Sequence, residues 1–313
     1  MSGNDRGRST TSTAARMARS LADAVLRRTW IERACYLLAA VLICSGLFHL
    51  GVLLVTGGSW SGPVSWRKPA TFGLSFGLTL ATVTWVLSFA SGRSRVRAVL
   101  LAVFAGACAA EVGMITVQAW RGMPSHFGVT GAGAGLLSAG AAGGGVALVA
   151  TLATATVLVW RPDPGIPPSM RLALRVGFAS LMVALALGVY MLARGMVLSR
   201  VGGDVDGAFA FTAGIKPGHA ATMHGVLVLP FLAWMLSFAE CPERSRLALV
   251  RLASSGYVLF AGIVVVEVLA GIRPLPVSAA PVVATVFALA GTALLIIAFG
   301  LALRALHRPN CAE

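Results

Sequence analysis

Charge is what this chain has least of. Only 12% of its 313 residues are Asp, Glu, Lys or Arg, about half the share of an average soluble domain. Acids are the scarcer sign, 11 against 25 basic residues, and only two of the bases, Lys68 and Lys216, are lysines. The five cysteines (Cys35, Cys44, Cys108, Cys241 and Cys311) form no CxxC pair. Neither a zinc knuckle nor a dithiol redox motif is therefore indicated. Long polar stretches are missing apart from the first 30 residues. These shortages argue against a soluble globular protein, a secreted disulfide scaffold and a free nucleic-acid-binding domain.

Hydrophobic residues are abundant, at 57%, with a mean hydropathy of +0.84. At about 20 residues per crossing, eight apolar segments fit: 32–56, 67–90, 97–120, 134–160, 171–196, 219–239, 247–271 and 277–304. The expected fold is an all-α, polytopic membrane helix bundle over 31–306. A cytoplasmic Arg/Ser-rich tail (1–30) precedes it and a short cytoplasmic tail (307–313) follows. The leading segment lacks the apolar core and cleavage site of a signal peptide; within it, 17–29 suits a short interfacial helix. With the N-terminus inside, 18 of the 25 basic residues fall on the inner side. Both termini are therefore expected inside. The preference for Arg over Lys, with much Ala and Gly, points to a GC-rich bacterial genome and a bacterial cytoplasmic membrane. The small-residue run 131-GAGAGLLSAGAAGGG-145 has the spacing that lets helix backbones approach closely. The two halves of the chain show no internal repeat.

In lipid the informative residues are those that cost free energy to insert, roughly 2.5–3.5 kcal/mol for a charge at mid-bilayer on insertion scales. Two acids stand out. Glu111 lies ten residues before Arg121, about 15 Å deep at 1.5 Å per residue. Gln118, seven residues on, shares its helical face. Glu267 lies six residues before Arg273, about 9 Å below the outer end. An acid taken out of water favours its neutral form, which is a proton donor.

Other polar groups gather at the outer ends of the same segments. Trp66, Arg67, Lys68 and Phe72 lie in 64-VSWRKPATFGLSFG-77. Trp120, Arg121, Ser125, His126 and Phe127 lie in 120-WRGMPSHFG-128. Lys216, His219, Thr222 and His224 lie in 211-FTAGIKPGHAATMHGVLVLPFLAW-234, and His49 lies near the outer end of the first segment. The inner loops carry little except Arg and a few acids. A polar site opening toward the outer leaflet is the functional signal of the chain.

Three kinds of site are compatible with that signal. A haem or quinone centre would draw on His49, His126, His219 and His224. However, His219 and His224 are five residues apart, whereas one helical face needs three or four. A lipid transporter or sensor would use Arg67, Lys68, Arg121 and Lys216 to hold an anionic head group, but the inner half shows no polar stripe for a through-path. An enzyme acting on a lipid-like substrate would need a buried acid, a second acid or base, and aromatic walls that stabilise a cation.

The segments 66-WRKPATFGLS-75 and 118-QAWRGMPSHF-127 resemble bacterial membrane proteins that carry WxKPxxFxxS and QxxRGxxSHF motifs. The arrangement also resembles the integral-membrane terpene cyclases of meroterpenoid and indole-terpenoid pathways. Those are small multi-helix proteins without aspartate-rich motifs, and they use one intramembrane acid early in the chain and one late. The resemblance implies Glu111 and Glu267 as the catalytic pair, and a hydrophobic prenylated or polyene substrate cyclised by protonation. It implies neither a metal nor another cofactor. Gln118, Arg121, His126, Trp66, Arg67, Lys68, Phe72, His219, His224 and His49 are the candidate substrate-binding residues. Membrane lipid is the other expected partner, and nucleic acid is not one.

Overall fold

The computed structural model describes residues 4–26, 29–58, 60, 62, 64–89, 94–124, 134–274 and 281–307. Residues 4–12, 25, 26 and 134–142 are described by their helical backbone alone. All regular structure among the described residues is helical. The helices are α1 (Asn4–Leu26), α2 (Trp30–Thr56), α3 (Arg67–Leu87), α4 (Ser94–Trp120), α5 (Ala134–Trp160) and α6 (Pro168–Met196). After a π-turn at Val197–Val201 follow α7 (Val205–Met223), α8 (Gly225–Leu236), α9 (Glu243–Leu269) and α10 (Val282–His307). Eight stretches are long and apolar enough to cross a membrane, with α7 and α8 together making one of them. The chain is thus a multi-pass helical membrane protein.

Two boundaries differ from the sequence expectation. The first is the leading segment, where α1 runs over Asn4–Leu26 rather than 17–29. Thr13, Met17, Ser20 and Ala24 recur at helical spacing on its packed side. Ser20 Oγ accepts from Trp234 Nε1 at 3.2 Å, and Arg16 reaches the Phe238 carbonyl at 3.4 Å. The second is the sixth span, which begins at Val205 rather than 219. Lys216 and Pro217 fall just ahead of the expected start at 219, yet the helix runs through both. Neighbouring helices in a bundle can satisfy backbone groups that Pro leaves free.

That sixth span breaks at His224, between α7 and α8. The carbonyls around the break find side-chain donors instead. Ser180 Oγ donates to the Thr222 carbonyl at 2.6 Å, and the Tyr257 hydroxyl donates to the Ala221 carbonyl. Gly225 makes the approach possible, since a Cβ there would sit 2.8 Å from Tyr257 Cε1.

Glycine also sets the closest helix crossings. A Cβ on Gly73 of α3 would lie 2.8 Å from Gly46 Cα of α2. On Gly256 of α9 it would lie 2.6 Å from the Gly291 carbonyl oxygen of α10. Lipid gives helices no hydrophobic reason to associate, so such close packing carries the association. One group of helices forms as α2, α3, α4 and α5 pack together, and a second as α6 to α10 pack together. The groups meet at α5 with α6 and at α3 with α8. Phe104, Leu80, Phe178, Leu229 and Leu232 fill the common core.

Candidate functional site

At the arginine-rich end, inner by the positive-inside rule, several polar side chains cap helices and close loops. Thr29 and Glu32 form a capping box at the start of α2. The Glu32 Oε2 accepts from Thr29 N at 3.0 Å, and Arg97 Nε stands 3.5 Å from Oε1. Glu243 Oε1 accepts from Ser169 N at 2.7 Å and so caps α6. Arg246 donates to the Ala239 carbonyl, Arg171 to the Asp163 carbonyl and Arg175 to the Trp160 carbonyl.

The opposite half is different. The packed stripe of α4 is Leu101, Phe104, Cys108, Glu111, Ile115 and Gln118, at steps of three and four. Glu111 is buried nine residues, about 14 Å, from the outer end of α4. Among the described residues no hydrogen bond or ion pair reaches its carboxyl. Room for that carboxyl comes from Gly144 of α5, where a Cβ would lie 2.8 Å from Glu111 Oε1. The small-residue run read from the sequence as a helix-packing device thus has, at this glycine, a second use. Two turns further out, Gln118 is 1% exposed. Its Oε1 accepts from Arg121 at 3.3 Å, while its Nε2 has no partner.

Three helix ends build an aromatic cluster beside Gln118. Trp120 Nε1 donates to His49 Nε2 at 3.1 Å. Because indole only donates, the His49 proton sits on Nδ1, which donates to the Ser45 carbonyl at 2.7 Å. Trp66 stacks on His49 at 6.0 Å and meets Trp120 edge-on at 4.8 Å. Phe72 stacks on Phe76, one helical turn along α3.

The cations of the WRKP segment face the second group of helices. Arg67 Nε donates to the Trp60 carbonyl at 2.7 Å, with its guanidinium 5.8 Å from the Trp60 ring. Lys68 Nζ sits 4.4 Å from the ring centre of Phe209 on α7. Lys216 lies on the same helix, seven residues on from Phe209. Phe209 was not visible as a site element in the sequence, because it lies between the expected segments 171–196 and 219–239.

Glu267 is buried on α9 with its Oε1 unpartnered. Its helix packs on α6, α7, α8 and α10, whereas the helix of Glu111 packs on α2, α3 and α5. Gln118 and Glu111 thus share one buried face of α4, two turns apart, while Glu267 lies on a helix with other neighbours. His219 Nδ1 bonds the Ala184 carbonyl and His224 Nδ1 bonds the Ala220 carbonyl, each at 2.7 Å. His126, with Ser125 and Phe127, lies outside the described residues. Among the described residues no cluster of three or more His, Cys, Asp or Glu has the makings of a metal site.

Set against protein-family models, curated proteins and solved structures, the chain matches none. The functional reading therefore rests on the residues themselves.

Proposed function

We propose that the protein is a membrane-embedded terpene cyclase that starts the cyclisation of a prenylated or polyene substrate by protonation. Glu111 is the proton donor. The observation that carries this reading is its carboxyl, buried in the membrane, free of any partner among the described residues, and set against the bare backbone of Gly144. A general acid must keep its proton available for the substrate rather than commit it to a neighbour. Protonation of an alkene or epoxide carbon chain leaves a carbocation, ring closure forms a carbon–carbon bond, and loss of a proton ends the sequence. The product is an isomer of the substrate. The unused amide donor of Gln118 suits a polar substrate atom two turns from the acid, and the rings of Trp66 and Trp120 offer faces that favour a cation. The regenerated Glu111 carboxylate or Glu267 receives the final proton. The host in which this chemistry is tested first is bacterial, in keeping with the composition.

A second reading, lipid binding or transport without chemistry, is favoured by one observation: Lys68 at the start of α3 lies against Phe209 of α7, the helix that also carries Lys216. A product assay separates the readings. The native chain is expressed in cells that make farnesylated or geranylgeranylated aromatic compounds, and extracts are examined by mass spectrometry. A cyclase gives a product of unchanged mass and new retention that disappears with Glu111→Gln. An inventory of prenylated compounds unchanged by correctly inserted native protein would leave the second reading in its place.

A further inference from the structure

The helix that precedes the first span is fastened to the inner end of the bundle. α1 packs through Thr13, Met17, Ser20 and Ala24, four positions spread over about 16 Å of its length. Met17 lies against the common core, Ser20 accepts from Trp234 of α8, and α1 also touches α2 and α10. It therefore lies across the bundle end and joins both groups of helices. Only residues 27–29 separate it from α2. Trp30, which opens α2, is 78% exposed, and Trp160, which closes α5 at the same end, is 51% exposed. Tryptophans exposed at the ends of spans mark the head-group level, so α1 is held at that level.

The two flanks of α1 beside its packed side differ. Ala14, Ala18 and Leu21 follow one another on one flank at steps of four and three, and all are exposed. Arg16 and Arg19 lie on the other flank, also exposed. Neither arginine has an ion-pair partner among the described residues, and Asp23, four residues on from Arg19, does not pair with it. One terminal nitrogen of Arg16 donates to Thr13 Oγ1 at 3.2 Å and to the Phe238 carbonyl at 3.4 Å. Arg19 Nε donates to the Ala15 carbonyl at 3.4 Å. Each guanidinium is steadied in this way and keeps a terminal nitrogen uncommitted.

We propose that α1 is a docking surface for anionic lipid of the inner leaflet, with Arg16 and Arg19 binding the phosphates of head groups that carry a net negative charge. The flank of Ala14, Ala18 and Leu21 suits the boundary with the acyl chains, as in other helices that lie in the interface. A zwitterionic head group also offers phosphate, but its own ammonium offsets the charge, so it gives the arginines no net attraction. Because α1 touches both groups of helices, lipid held there fastens them together at the inner end. The proposal does not draw on the acid chemistry of Glu111.

The test is hydrogen exchange of α1 in the full chain, reconstituted in vesicles of phosphatidylcholine alone or of phosphatidylcholine and phosphatidylglycerol in equal parts. Phosphatidylglycerol is expected to slow exchange over residues 13–24 roughly tenfold or more, the attraction usual for two arginines near an anionic surface. High salt should remove that slowing. Arg16→Gln/Arg19→Gln loses it, while Arg16→Lys/Arg19→Lys, which retains the charge, keeps most of it. Arg95→Gln/Arg244→Gln, which removes the same charge from the same end of the bundle but not from α1, keeps it in full. Equal exchange of native α1 in the two kinds of vesicle would overturn the proposal. So would an Arg16→Gln/Arg19→Gln variant slowed by phosphatidylglycerol as much as the native chain.

Discussion

Glu32 and Glu111 are both buried glutamates on membrane-spanning helices, and they are treated in opposite ways. Glu32 accepts from the backbone and hydroxyl of Thr29 and faces Arg97. Glu111 has no such company among the described residues, and its carboxyl lies over Gly144. A buried charge is normally paired, and a buried polar group normally bonded. The first acid follows that rule and is architectural. The second departs from it at a depth where departure is expensive, which is where a functional group is expected. The contrast extends to the two ends of the bundle. At the arginine-rich end Glu32 and Glu243 cap helices and each stands near an arginine, whereas the opposite half holds the unused amide donor of Gln118 and a buried Glu267 oxygen with no hydrogen bond.

The comparison breaks most clearly at the two acids. Glu111→Gln is expected to lower product formation by about 10²- to 10⁴-fold, the usual contribution of a general acid, with a melting temperature close to native. Glu32→Gln should do the reverse, costing about 1.5–3 kcal/mol of stability through weakened charged hydrogen bonds. Turnover per folded molecule should then be retained. Thermal unfolding in detergent beside the product assay gives both numbers.

Glycine substitutions sharpen the same contrast at a smaller scale. Gly73→Ala and Gly256→Ala push a methyl into a neighbouring backbone that cannot yield. Each should destabilise by about 1–3 kcal/mol, the usual cost of overpacking. Gly144→Ala meets only the end of a flexible side chain. It should displace the Glu111 carboxyl, cut turnover and leave the melting temperature nearly unchanged. Tyr257→Phe removes the donor from the Ala221 carbonyl at the broken helix. A loss of about 0.6 kcal/mol, the average for hydrogen bonds measured between membrane helices, is expected. Trp120→Phe, which removes one hydrogen bond to His49, should cost about as little.

Much of this was legible in the sequence. Hydropathy located the spans because a bilayer demands length and apolarity from each of them. The shared face of Glu111 and Gln118 followed from their seven-residue spacing, and the stripe of α4 bears it out. Contacts between helices were not legible. The stacking of Trp66 on His49 joins the start of α3 to α2, and the seat of Lys68 on Phe209 joins residues 141 positions apart. Nothing in local pattern encodes such pairs. The break at His224 was hidden for a related reason, since its carbonyls are satisfied by Ser180 and Tyr257 from other helices. Lys216 and Pro217 lie inside α7 although hydropathy started the span only at 219, because a cation and a proline lower the apolar signal of that turn.

The difference between Glu32 and Glu111 is most directly tested by chemical labelling. Dicyclohexylcarbodiimide enters membranes and reacts with carboxylic acids that carry a proton and are not held by a cation. The full chain in lipid vesicles would be treated with the reagent, digested and mapped by mass spectrometry. The account predicts rapid modification of Glu111 with Glu32 spared. Equal modification of the two, or a Glu111 that stays unlabelled while Glu32 reacts, would contradict it.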